Sequence, residues 1–143
     1  MKTRLLLFTL ISVVVLFGCK SKIVEETVES YADGSAKVVR SYKEDGREKT
    51  LVKECLYYPN HQKYMEGGYK DGKRDGQWKS WNQNGNLWSE GTFKDGLDEG
   101  LRTIYHENGK KFIEGYYTAG KKTGTWKFYD ENGNFMKEES YNK

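Results

Sequence analysis

The stretch YKDGKRDGQWKSWNQNGNLWSEGTF, residues 69–93, runs from one member of an aromatic column to the next, and its pattern recurs every 24 positions. Tyr69, Phe93, Tyr117 and Tyr141 form that column, and Glu66, Glu90, Glu114 and Glu138 form a second. Gly72, Gly96 and Gly120, with Gly76, Gly100 and Gly124, punctuate between them. A short fixed period with glycine punctuation marks a stack of supersecondary units rather than an enzyme pocket.

Three units align without gaps, Tyr57 to Ser80, Trp81 to Ile104 and Tyr105 to Phe128, followed by a truncated fourth from Tyr129 to Lys143. Asn84-Gly85, Asn108-Gly109 and Asn132-Gly133 read as tight hairpin turns, with Asn60-His61 in the same slot of the first unit. A second, longer turn is expected at Asp71 to Gly76 and at Ala119 to Gly124. Two turns per unit imply two strands per unit, and the runs between them (Trp78 to Trp81, Leu87 to Phe93, Phe112 to Tyr117, Trp126 to Tyr129) are aromatic and β-branched. Further upstream, Tyr31, Gly34 and Tyr42 match Tyr58, His61 and Tyr69 at a stretched spacing of 27, as an atypical terminal repeat would. The expected fold is all-β: a single-sheet antiparallel meander of about four tandem two-stranded hairpins over residues 31–143, preceded by an N-terminal signal helix.

Charged residues make up 31% of the chain and aromatic residues 15%, so the core must be thin and built from rings. The formal charge of +3 includes Lys2 and Arg4; without these two the balance is 22 basic against 21 acidic side chains, or +1. Such an interspersed mixture gives no electrostatic footprint for nucleic acid.

Lys2 and Arg4 begin a leader whose apolar run, Leu5 to Phe17, would extend only about 20 Å as a helix, short of the roughly 30 Å of bilayer hydrocarbon. It reads as a signal peptide, residues 1–19, with residues 20–30 as a polar tether. The segment Leu16-Phe17-Gly18-Cys19 resembles the lipobox of bacterial lipoproteins. That resemblance implies lipidation of Cys19, a membrane attachment through it, and, with Lys20 following, delivery to an outer membrane. Cys55 is then left without an intramolecular partner and reads as a small buried apolar residue.

The strings Tyr69-Lys70-Asp71-Gly72-Lys73-Arg74-Asp75-Gly76-Gln77-Trp78 and Gly124-Thr125-Trp126-Lys127-Phe128-Tyr129-Asp130-Glu131-Asn132-Gly133 resemble the MORN-repeat variant of proteins labelled YwqK-family antitoxins. The resemblance spans about Tyr57 to Tyr141, and more weakly Tyr31 to Gly46. It implies a repeat sheet and leaves the activity open, because repeat arrays host many functions.

Equivalent glutamates two strands apart are separated by about 9.5 Å, too far to share a metal ion, so the glutamate column reads as a cross-strand ion-pair ladder. His61 and His106 lie at or beside turns without clustered Cys or His, the acidic turns lack calcium-loop spacing, and no nucleophile motif is present. The chain is therefore expected to be non-enzymatic and to need no cofactor or metal. The aromatic columns have two readings. The rings pack on one another as the core, or Trp78, Trp81, Trp88, Tyr105, Phe112, Trp126 and Tyr129 offer an exposed binding platform. The overall expectation is a lipid-anchored envelope protein that binds or scaffolds a protein partner. The alternatives are an antitoxin or immunity protein and an envelope glycan-binding protein.

Overall fold

In the computed structural model, which describes residues 21–141, ten strands follow one another as neighbours in one antiparallel sheet. They are β1 (Lys22–Ser30), β2 (Ala36–Asp45), β3 (Glu48–Tyr57), β4 (Lys63–Lys70) and β5 (Lys73–Trp81), then β6 (Leu87–Lys94), β7 (Leu97–Tyr105), β8 (Lys111–Thr118), β9 (Lys121–Tyr129) and β10 (Phe135–Tyr141). The expected all-β meander is this sheet. The expected signal helix and Cys19 lie outside the described residues.

Residues 22–30 correct one expectation: they are the first strand, not a tether. Ile23, Val24, Thr27 and Val28 favour an extended backbone, and β1 pairs with β2 from Lys22↔Glu44 to Ser30↔Ala36. Ion pairs Lys37–Glu29 at 3.0 Å and Lys49–Glu26 fasten it across the sheet. The sheet thus starts at Lys22 and contains five hairpins' worth of strands where about four were expected.

The two turn types are also exchanged relative to expectation. Asp71-Gly72, Asp95-Gly96 and Ala119-Gly120 are the tight two-residue turns, with positive φ at both positions. The Asn-Gly pairs sit in wider loops that close by a hydrogen bond from Gly85 N to the Asn82 carbonyl, and likewise from Gly109 to His106 and Gly133 to Asp130. There only the glycine has positive φ, and His61 adopts φ 64° in the equivalent place. Asn84 and Asn108 contribute through side-chain oxygens that accept the amides of Asn86 and Lys110.

Gly76, Gly100 and Gly124, expected within the longer turns, lie inside β5, β7 and β9 at φ 78°, 80° and 65°. Each coincides with a break of register against the preceding strand. A second break follows beside each wide loop, where Tyr64, Trp88, Phe112 and Met136 are the unpaired residues, so the sheet carries two register breaks per 24-residue unit. At the glycine breaks the indole N–H groups of Trp78 and Trp126 donate to the carbonyls of Gly68 and Tyr116, at 3.1 and 3.2 Å.

The core lies on one face of the sheet. Trp78 and Trp126 are only 3% and 2% exposed, and with Val38 they are the buried apolar side chains among the described residues. Each indole lies flat over a glycine of the preceding strand. A Cβ on Gly67 would come within 2.0 Å of the Trp78 ring, and one on Gly115 within 2.2 Å of Trp126. Edge-on contacts continue the line, Tyr69–Trp78 at 5.5 Å and Trp78–Phe93 at 6.0 Å, then Tyr117–Trp126 at 5.1 Å and Trp126–Tyr141 at 6.0 Å. In the middle unit Arg102 takes the tryptophan slot over Gly91, and its guanidinium stands 5.2 Å from the Phe93 ring. Cations roof the outer units, Arg74 at 4.0 Å from Trp78 and Lys122 at 4.3 Å from Trp126, whereas the middle unit has Asp98 paired to Arg102. A cation over a ring has been exchanged as a pair for an anion beside a cation.

Candidate functional site

Trp78 and Trp126 are thereby removed from the expected binding platform: they are core. Trp81, Tyr105 and Tyr129 lie on the opposite face, beside the wide loops, because each is two residues along its strand from Lys79, Thr103 or Lys127. Trp88 and Phe112 sit at register breaks beside those loops, Trp88 lining one cleft with Tyr105 and Phe112 packing on His106.

Lys79, Glu90, Thr103, Glu114 and Lys127 belong to a row running across the strands. Its register partners are Cys55↔Glu66, Glu66↔Lys79, Lys79↔Glu90, Glu90↔Thr103, Thr103↔Glu114, Glu114↔Lys127 and Lys127↔Glu138. The glutamate column is an ion-pair ladder in part: Glu66 and Glu90 pair across strands, Glu114 pairs with Lys111 of its own strand, and Glu138 makes no ion pair among the described residues. Lys53 and Lys63 stand 2.9 and 2.8 Å from Glu66, Lys79 stands 3.3 Å from Glu90, and Lys111 stands 2.6 Å from Glu114. Tyr105 and Tyr129 add phenol hydrogen bonds to Glu90 and Glu114 at 2.7 and 2.8 Å.

These contacts set the charge states. Burial alone would raise the Glu66 carboxyl, but hydrogen bonds from Lys63 and Lys53 and their charges bring it down to about 2. Burial and the bond to Glu90 push the Tyr105 phenol up to about 12. Burial likewise raises the Cys55 thiol, which Lys53 counteracts and the Glu66 carboxylate 3.6 Å away reinforces. A thiol held protonated next to a carboxylate is a poor nucleophile. Among the described residues no group of three His, Cys, Asp or Glu side chains converges to hold a metal ion.

Beyond the ladder, the same face presents Leu101 and Tyr116, paired across β7 and β8 and 44% and 53% exposed. Thr92, Gln77 and Thr125 flank them, and shallow hollows beside Glu66, Glu90 and Glu114 repeat with the unit.

The wide-loop end holds a larger cleft of about 430 Å³. Trp88 and Tyr105 supply its rings, Asn82, His106 and Asn108 its neutral polar groups, and Glu107 and Glu131 its carboxylates. The flanking loops are tied together by amide side chains: Asn60 Nδ2 donates to the Gln83 carbonyl at 2.9 Å, Asn86 to Glu107 and Asn108 to Glu131, both at 2.7 Å. His106, expected only as a turn residue, bonds the Tyr129 carbonyl at 3.0 Å through Nε2. The polar half of this cleft was not foreseen, although its members recur at 24-residue spacing like the aromatic columns.

The MORN repeat variant matches residues 74–95, 98–119 and 122–143. The chain carries tandem MORN-variant repeats. Each matched unit takes in one bulged strand, one wide loop, the next strand and, in the first two copies, the start of the tight turn. The MORN-variant match covers β5 to β10, and β1 to β4 continue the same sheet ahead of it. MORN-variant repeats generally serve as non-enzymatic binding modules. No curated protein matches the chain.

Proposed function

We propose that this is a lipid-anchored protein of a bacterial cell envelope whose MORN-variant sheet binds or scaffolds a protein partner without catalysis. The observation that carries the binding half is the exposed ladder face. An apolar centre of Leu101 and Tyr116 is bordered on one side by the row Lys79, Glu90, Thr103, Glu114 and Lys127, whose two positive and two negative charges balance, and on the other by Gln77, Thr92 and Thr125, the composition of a protein-contact patch with a polar rim. The partner that fits is a protein with a small apolar patch ringed by mixed charge. The anchor half is supported by the basic start, the short apolar run and Leu16-Phe17-Gly18-Cys19. Outer-membrane delivery is supported by Lys20.

Two measurements test the halves separately. Radiolabelled palmitate should enter the full-length protein and be absent from Cys19→Ala; label persisting in that variant overturns the anchor. Affinity purification of the native protein should recover a partner that Tyr116→Ala and Leu101→Ser both lose while keeping their thermal stability. A partner retained by both variants places binding elsewhere.

A further inference from the structure

The 430 Å³ cleft arises where one repeat breaks the rule that its neighbours keep. The first residue of each wide loop occupies a column, Tyr58, Asn82, His106 and Asp130 at a spacing of 24, with Tyr31 as the stretched equivalent. Asp130, with only β10 after it among the described residues, bonds within its own loop. Tyr31, Tyr58 and His106 reach forward to a carbonyl at the end of a later strand, those of Tyr57, Trp81 and Tyr129, at 2.6, 3.0 and 3.0 Å. The same column covers the ring six residues on: Tyr58 lies 5.0 Å from Tyr64, and His106 lies 4.6 Å from Phe112.

Asn82 is too short for either task. Its Nδ2 is buried with no hydrogen-bond partner, the sole such side-chain atom among the described residues. Trp88, the ring it would cover, remains 48% exposed. A shortened side chain has therefore left an orphan donor and a bare indole together at one cleft. Unpaired buried donors are costly and rare in native proteins, so one that is kept calls for a physical explanation.

We infer that this cleft is a saccharide-binding subsite, in which the apolar face of a neutral or amino sugar lies on Trp88 and its hydroxyls are held by Asn82, Asn108 and the Glu107 and Glu131 carboxylates. An aromatic platform with convergent amides and carboxylates matches a ligand that is flat and apolar on one side and rich in hydroxyls at its edge. The two carboxylates disfavour phosphates and other anions. Trp88 faces the cleft rather than the Leu101–Tyr116 patch, so the site does not depend on the protein-binding or envelope reading.

The test is ligand-observed saturation-transfer NMR together with tryptophan fluorescence on the full-length protein, with chitotriose, cellotriose and glucosamine as probes. The wild type should show saturable binding to at least one probe. Trp88→Ala should weaken it at least about tenfold with the melting temperature nearly unchanged, since that ring is half exposed. Asn82→Tyr should restore the loop stitch and ring cover seen at Tyr58, raise the melting temperature and abolish binding. Asn82→Asp, which keeps the shape and removes the donor, should also weaken binding. The inference is overturned if no probe saturates the wild type, or if binding survives Trp88→Ala and Asn82→Tyr.

Discussion

Gly115 carries Trp126 because hydrogen is the only substituent that lets the indole lie on the backbone. A methyl there would stand 2.2 Å from the ring, so Gly115→Ala must lift Trp126 from both its Tyr117 and its Tyr141 contacts. Overpacking of this kind costs about 1–3 kcal/mol, and urea denaturation of the variant should read a loss of that size. The signal was in the sequence, for Gly67, Gly91 and Gly115 recur as regularly as the turn glycines, each eleven residues before Trp78, Arg102 or Trp126. Read without coordinates, a glycine inside an aromatic strand does not reveal which ring lies over it. The glutamate column was legible because alternation puts register partners on one face whatever the turns do. Its chemistry gives a second prediction. Glu66 has its pKa lowered from 4.5 to about 2, so the stability it lends is complete above the unfolded value of 4.5 and is lost as pH falls through about 2. Thermal melts between those limits should decline more steeply for the wild type than for Glu66→Gln.

At the scale of the strand and its turn, the sequence specified where the chain reverses but not by which geometry. Asn-Gly favours the tight hairpin turn in general, yet here the residues beyond the pair set the register. Trp81 pairs with Leu87 and Tyr105 with Lys111, leaving five residues to close each loop, whereas Lys70 pairs with Lys73 and leaves two. β1 was missed for a related reason. Its acidic side chains, Glu25, Glu26 and Glu29, spread over both faces, read as tether until β2 and β3 bring Lys37 to Glu29 and Lys49 to Glu26. The tight turns also hold a residue against its preference. Ala119 sits at φ 48° where Asp71 and Asp95 sit at 50° and 51°, and alanine resists the left-handed region by about 1–2 kcal/mol per residue. Ala119→Asn should therefore raise the urea midpoint, by a stability gain of about 1 kcal/mol, without altering the slope of the transition.

At the scale of the whole sheet, every strand among the described residues pairs only with its neighbours in sequence, so the sheet behaves as a one-dimensional stack whose stability is a sum of units and of the contacts between them. That property makes removal of an internal unit a sharp test of the architecture. Deleting residues 98–121 takes out one 24-residue period and joins Leu97 to Lys122, which occupies the place of Asp98. Trp126 then falls over Gly91 with Phe93 beside it, reproducing the Gly67–Trp78 seat, and Lys122 keeps its station over the indole. The middle unit's Arg102–Asp98 pair leaves as a couple, so no buried charge is stranded. An eight-stranded sheet should form, with an unchanged β-type circular dichroism band and a denaturant slope lower by about a fifth, in proportion to the surface no longer exposed on unfolding. Deleting residues 98–120 instead retains one extra residue and turns every later side chain to the wrong face of the sheet. Tryptophan 126 would then point at solvent, and the protein should fail to fold cooperatively. Equal folding of the two deletions would mean that register is not set by the 24-residue repeat, and the stack would have to be held by something other than its paired faces.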